Sequence, residues 1–245
     1  MVRLRGGVVD SHHMDVVVQI AQGRDASVTT SLSASAGAVC YLLPVVSRLD
    51  AAGLRSHGAS LLVLTDDPHI VAREMGVVAP HWTTAVALGA VDRQDPSLLG
   101  PDCLVCSPQA LLHHAARRTP FLQGLRCVAA DVRTHNLDTD HLHQLHLALA
   151  VPKTAMLSQT TGGHLPLYQS LIFCRPETAD MVAPIAAKYL RADHYLGCLG
   201  VTNERVVNTV LHAKWPRQQA HDTPQNHPPN TTFSPSEIEE GPFMA

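Results

Sequence analysis

Few residues in this sequence have the types and spacing that chemistry needs. The first candidate is the run LRCVAADVRTHNLD, residues 125–138, where an apolar stretch ends on one acid, Asp131. An acid at the carboxyl end of a buried strand is well placed to hold a metal ion or position water. In a nucleotide-hydrolysing sheet a second acid would follow and help hold magnesium. Val132 occupies that place. A second candidate, Cys103-Leu-Val-Cys106, has zinc-knuckle spacing. It lies inside an apolar run and lacks a second pair, so it reads as two buried thiols. A third is the cluster His141, His143 and His146 in HLHQLH. It reads as the solvated face of a helix whose buried face carries Leu142, Leu145 and Leu149. No metal and no cofactor is expected at either. Ser, His and Asp are plentiful, but no G-x-S-x-G elbow is present to expose a nucleophile.

These residues must be positioned by an alternation of short apolar runs and helical patterns. Strands are expected at Ala26–Thr30, 60–65, 84–90, 103–107, 126–131 and 153–160. Helices are expected at 38–49, at 68–76 with Gly76 as its stop, from Pro108 onward, at 138–150, and at 179–192 with Pro184 in its middle. Strands that are almost continuously apolar and alternate with helices predict an α/β fold: a mostly parallel sheet covered on both faces.

Composition narrows the function classes. The 245 residues are 45% apolar, with no run of 18 that would read as a membrane span. Six cysteines without a secretory signal point to a reducing compartment rather than secretion. The net charge of −3 falls entirely on residues 216–245, which carry one Arg, four acids and six of the 17 prolines. The preceding body sums to zero, which argues against extensive phosphate-backbone binding. The division expected is an N-terminal segment 1–22, a domain 23–215, and an extended Pro-rich tail 216–245 whose apolar anchors are Phe233, Ile238 and Phe243. Arg3 and Arg5, with no acid before Asp10, read as a faint organelle-targeting signal.

In order, these segments resemble the first RecA-like domain of DEAD-box RNA helicases over about 200 residues. GRDASVTTSLSASAGAVCYLLPVVSRL resembles the family's nucleotide-binding strand, loop and helix. LVLTDDPHIVAREM stands at P-T-R-E-L-A, and GAVDRQ at the Gly-Gly motif. CLVCSPQALLHHA stands at T-P-G-R, LRCVAADVRTHNLD at D-E-A-D, and TAMLSQT at the strand ending in S-A-T. VAPIAAKYLRADHYLGCLGVTNERVVNTV is similar to the helix, strand and linker that close the domain. The resemblance implies a second RecA-like domain next, where this sequence has the Pro-rich tail.

The departures set the functional expectation. A phosphate loop needs a Lys to neutralise phosphate and a hydroxyl to ligate magnesium. The resemblance puts Gly37 and Ala38 in those places, Val132 in place of the Glu that activates water, and Arg133-Thr134 in place of Ala-Asp. The family's adenine-reading Gln falls near His13, and its RNA-contacting arginines fall at Pro68 and Ala110. No catalytic residue and no bound nucleotide is therefore expected. Residual RNA contact would come from Gly89, Arg93 and Ser107, the last at a helix start that offers N–H groups to a phosphate. The plainer reading of Ser107 is an N-cap. The leading expectation is an inactive, helicase-like structural or assembly subunit of a large ribonucleoprotein, such as a mitochondrial ribosome or its assembly intermediate, working through protein partners. A stand-alone RNA-binding module and an ATPase completed by a partner chain are the alternatives.

Overall fold

The computed structural model describes residues 11–54, 58–87, 100–115, 122, 124–133, 137–157 and 168–199. Seven parallel strands form one sheet in the order β3-β4-β2-β5-β6-β1-β7. They are β1 (Ala26–Thr30), β2 (Leu61–Thr65), β3 (Thr84–Ala87), β4 (Cys103–Cys106), β5 (Cys127–Val132), β6 (Gln169–Cys174) and β7 (Tyr195–Leu199). The helices are α1 (Ser11–Ala21), α2 (Ala34–Ala51), α3 (Pro68–Val78), α4 (Pro108–Ala115), α5 (Thr139–Leu157) and α6 (Ala179–Tyr189).

Two apolar layers sandwich the sheet, and the strand alternation of period two divides the residues between them. Leu61, Val63 and Ala129 face the layer of α1, α2 and α3, with Val16, Ile20, Tyr41, Leu42 and Met75. Leu62, Leu64, Val128 and Ala130 face the layer of α4, α5 and α6, with Leu111, Leu145, Leu149 and Ile185. β2, β4, β5 and β6 are buried along their whole length, which accounts for their near-continuous apolar sequences. Burying each large aliphatic side chain contributes about 1.5–3 kcal/mol. No helix among the described residues is long and apolar enough to cross a membrane.

Several expectations are corrected. Residues 153–157 are not a strand but the last turns of α5. α5 runs through Pro152, and Thr154 Oγ1 donates to Ala150 O at 2.9 Å within that stretch. The strand that follows β5 is Gln169–Cys174. Ser158–Thr160 lie outside the described residues. Gly76 does not stop α3, which continues to Val78; a β-carbon there would meet nothing within 4 Å. α2 begins at Ala34 rather than at residue 38, because Ser33 caps it: Ser33 Oγ accepts from Ala36 N at 3.3 Å. Pro184 does not interrupt α6.

Candidate functional site

Parallel α/β sheets present their crevice at the carboxyl ends of the strands, where neighbouring loops leave toward opposite faces. β1 and β6 part in this way, since β1 leads to α2 in one layer and β6 leads to α6 in the other. The cleft there has a volume of about 400 Å³ and is lined by Leu32, Thr65, Asp66, Ile70, Asp131, Arg133 and Arg175, among others.

Register carries Asp131 to the end of β5, opposite Thr65 on β2 and Phe173 on β6. Asp131 and Arg133 are two residues apart and turn toward α2, whereas Val132 packs in the α4–α6 layer. The Arg133 guanidinium grips both Asp131 oxygens, Nε to Oδ1 at 2.6 Å and Nη2 to Oδ2 at 2.5 Å. Its other hydrogens reach across to the β1–α2 turn: Nη1 donates to Ser33 O at 2.8 Å and Nη2 to Ala34 O at 2.9 Å. Arg175 Nε donates to Arg133 O at 2.8 Å, and the Tyr41 hydroxyl donates to Asp131 Oδ2 at 3.2 Å. The two charged side chains are only 5% and 3% exposed, so solvent screens the pair little.

The electrostatics follow. Burial works against the charged guanidinium, but the hydrogen bonds to Asp131 and its charge outweigh this and hold the Arg133 pKa above its ordinary value. Burial first, then the Asp131 carboxylate, push the Tyr41 phenol well above its usual range. Burial raises the Cys40 thiol to about 12 against the pull of Arg133.

Gly37 is the second half of this arrangement. A β-carbon on it would overlap Nη1 and Cζ of Arg133. The guanidinium lies in the space that the missing side chain leaves. Ala38 is fully buried in α2. The Gly37 N–H is bonded to Ser33 O at 2.9 Å, inside the helix.

Ser107 caps α4, its Oγ accepting from Ala110 N at 3.1 Å. It lines a smaller cleft of about 90 Å³ with Asp66, Val132, Leu137 and His141. Pro68 opens α3, and Ala110 is fully buried. Cys103 and Cys106 face opposite layers of the sheet and cannot share one ion. His141 Nδ1 lies 2.7 Å from Asp138 Oδ1, while His146 turns toward α6. His13 falls on α1. Gly89, Arg93, Phe233, Ile238 and Phe243 lie outside the described residues.

No protein-family model matches the chain, and no curated protein matches it. Solved structures do. The chain is similar to the RNA helicase Prp28 from Chaetomium thermophilum, determined bound to ADP, with a TM-score of 0.52 at 16% identity, covering 80% of this chain and 50% of that one. It is also similar to a hypothetical ATP-dependent RNA helicase from Sulfolobus tokodaii, with a TM-score of 0.57 at 14% identity, covering 78% of this chain and 53% of that one. The fold is RecA-like, a parallel sheet with helices on both faces. The chain spans about half the length of these two helicases.

That fold implies a nucleotide with magnesium, and the residues present do not fit it. A phosphate cradle offers N–H donors to oxygen. Here two carbonyls of the turn, Ser33 O and Ala34 O, face a guanidinium, and the Gly37 N–H is spent within the helix. Asp131, the acid at the end of β5, already has both oxygens bound to Arg133. The sequence offered little sign of this latch. Arg133 reads there as one more substitution in an acidic motif, and only the register of β5 against the β1–α2 turn gives it a role.

Proposed function

We propose that this protein is a catalytically inactive relative of DEAD-box RNA helicases that serves as a structural or assembly subunit of a large ribonucleoprotein, with a mitochondrial ribosome or its assembly intermediate as the proposed setting. One observation carries the reading: the Arg133 guanidinium, locked to Asp131, fills the space over Gly37. An intramolecular cation there takes the part of the Lys and metal ion that a nucleotide would require, and needs no ligand to do so. What is retained is a sheet buried on both faces. The proposed partner contacts are Phe233, Ile238 and Phe243 on neighbouring proteins, with any RNA phosphate at Ser107.

Two measurements test the reading. Fluorescent ATP with magnesium, titrated into the full chain, is expected to show no binding at sub-millimolar concentration, and such binding would sink the proposal. The tagged chain is expected to co-purify with ribonucleoprotein proteins and to keep them after RNase treatment. Release by RNase would favour an RNA-binding module instead.

A further inference from the structure

A second group of side chains lies on α5 and α6, away from the crevice residues. Lys153 and Lys188 each place Nζ 5.9 Å from the centroid of the Tyr189 ring. His146 stands edge-on to that ring at a centroid distance of 5.4 Å. The ring is anchored by the Tyr189 hydroxyl, which donates to His146 O at 2.7 Å. Lys188 Nζ lies 3.1 Å from His146 Nε2. Two ammonium groups and an imidazole thus surround one phenol, and none of the three has a carboxylate partner among the described residues. The sequence is equally one-sided, with no Asp or Glu between Asp140 and Glu177.

We propose that this cluster binds the phosphodiester backbone of RNA. Lysines act on phosphate as point charges without a fixed fork, and such contacts position a nucleic acid without reading its bases. Two ammonium groups beside one ring, with an imidazole next to it and no acid opposite, give a local positive charge that suits the fixed charge of a phosphate. The imidazole adds a proton switch. Burial, then Lys188 and then His143, hold the His146 pKa below its ordinary value, so at neutral pH its free nitrogen accepts from the Lys188 ammonium and holds it in place. The groups facing His146 are Lys188 and Tyr189 on α6 and His143 on its own helix. A bound phosphate favours the protonated imidazole, so binding tightens as pH falls. This site goes beyond the scaffold reading and uses no residue of the crevice.

The test titrates the full chain with a labelled, mixed-sequence single-stranded RNA at about 50 to 200 mM salt, as wild type and as Lys153→Gln/Lys188→Gln. Both lysines are exposed, so the variant keeps its fold. The variant is expected to bind about tenfold more weakly, with a log–log salt slope shallower by about 1.4, the share of two phosphate contacts. Arg73→Gln, at an exposed arginine of α3 that pairs with Glu74, is expected to change neither. In the wild type, saturating RNA should raise the His146 pKa read by NMR. Unchanged affinity and slope in the lysine variant overturn the assignment. So does displacement of RNA by a polyglutamate peptide of equal charge, which would make this a site for acidic proteins. Nucleotide binding in the crevice affects none of these readouts, so failure here and failure of the scaffold reading are distinguishable.

Discussion

Arg133 and Gly37 occupy one another's space: the guanidinium of the first lies where a side chain on the second would begin. The two residues are far apart in sequence, on β5's exit and in α2's second turn, and each makes sense only through the other. Gly37→Ala should therefore force Arg133 off Asp131. The expected loss is about 3 kcal/mol, the scale for breaking a buried ion pair. In an Arg133→Ala background the same Gly37→Ala change should cost close to nothing, or stabilise through helix propensity. Urea unfolding of the four proteins in the cycle reads the coupling, and additive effects would show that the two residues do not share the site.

Removing one partner should be worse than removing both. Arg133→Met leaves a buried carboxylate facing only the Tyr41 hydroxyl and should cost about 3–5 kcal/mol. Asp131→Leu/Arg133→Met removes both charges and should recover part of that loss. Denaturation midpoints compare the two variants directly, and a double variant weaker than the single would contradict the account.

Tyr41→Phe keeps the ring contact with Phe173, at 5.0 Å between centroids, and deletes only the hydroxyl that donates to Asp131. The expected cost is about 1 kcal/mol. A loss several times larger would mean that the hydroxyl, rather than Arg133, is the principal partner of the acid.

Asp138 and His141 should be linked in their titration. The His141 pKa is raised, mainly by its hydrogen bond to Asp138, and that of Asp138 is lowered by backbone and side-chain bonds from His141. For the histidine, the stabilisation is fully present below the unfolded-state value and fades as pH rises through the folded one. For the aspartate, it is present above the unfolded value and fades as pH falls through the folded one. NMR titration should find the His141 pKa dropping toward the ordinary histidine value in Asp138→Asn. No change would mean the pair is not formed in solution.

The thiols should divide one against five. Cys198 is exposed, whereas Cys40, Cys103, Cys106, Cys127 and Cys174 are buried. Burial raises the thiols of Cys106 and Cys127 to about 12 and that of Cys174 to about 11, which removes the reactive thiolate. A disulfide reagent should therefore modify one thiol quickly in native protein and six in denaturant.

Sequence patterning carried most of the sheet, because β2, β4 and β5 are short apolar runs bounded by turns and their pattern has one reading. It misplaced the sixth strand for a physical reason. Pro152 looks like the end of a helix, and the apolar residues after it look like a new strand, yet α5 continues past the proline for another turn. The missing Lys and hydroxyl were legible at Gly37 and Ala38, but what replaced them was not. An Asp and an Arg two apart become a latch only when the strand between them ends beside a capped helix. The α5–α6 cluster was equally hidden, since it joins residues of two helices that sequence treats separately.

The strand order has a consequence for how the chain is made. β1 pairs only with β6 and β7, whose residues begin at Gln169 and Tyr195. At a synthesis rate of about 5–20 residues per second, the first strand to leave the ribosome waits roughly 7–28 seconds before any of its neighbours in the sheet exists. During that interval β2, β4 and β5 can already pair with one another, while β1 has no strand to pair with. A nascent chain stopped after α5 should thus expose the backbone edges of β1, and chaperones should hold it until β6 emerges. Topology of this kind makes closure a late and non-local event, so the Arg133 latch, which joins β5 to the β1–α2 turn, can set only near the end of synthesis.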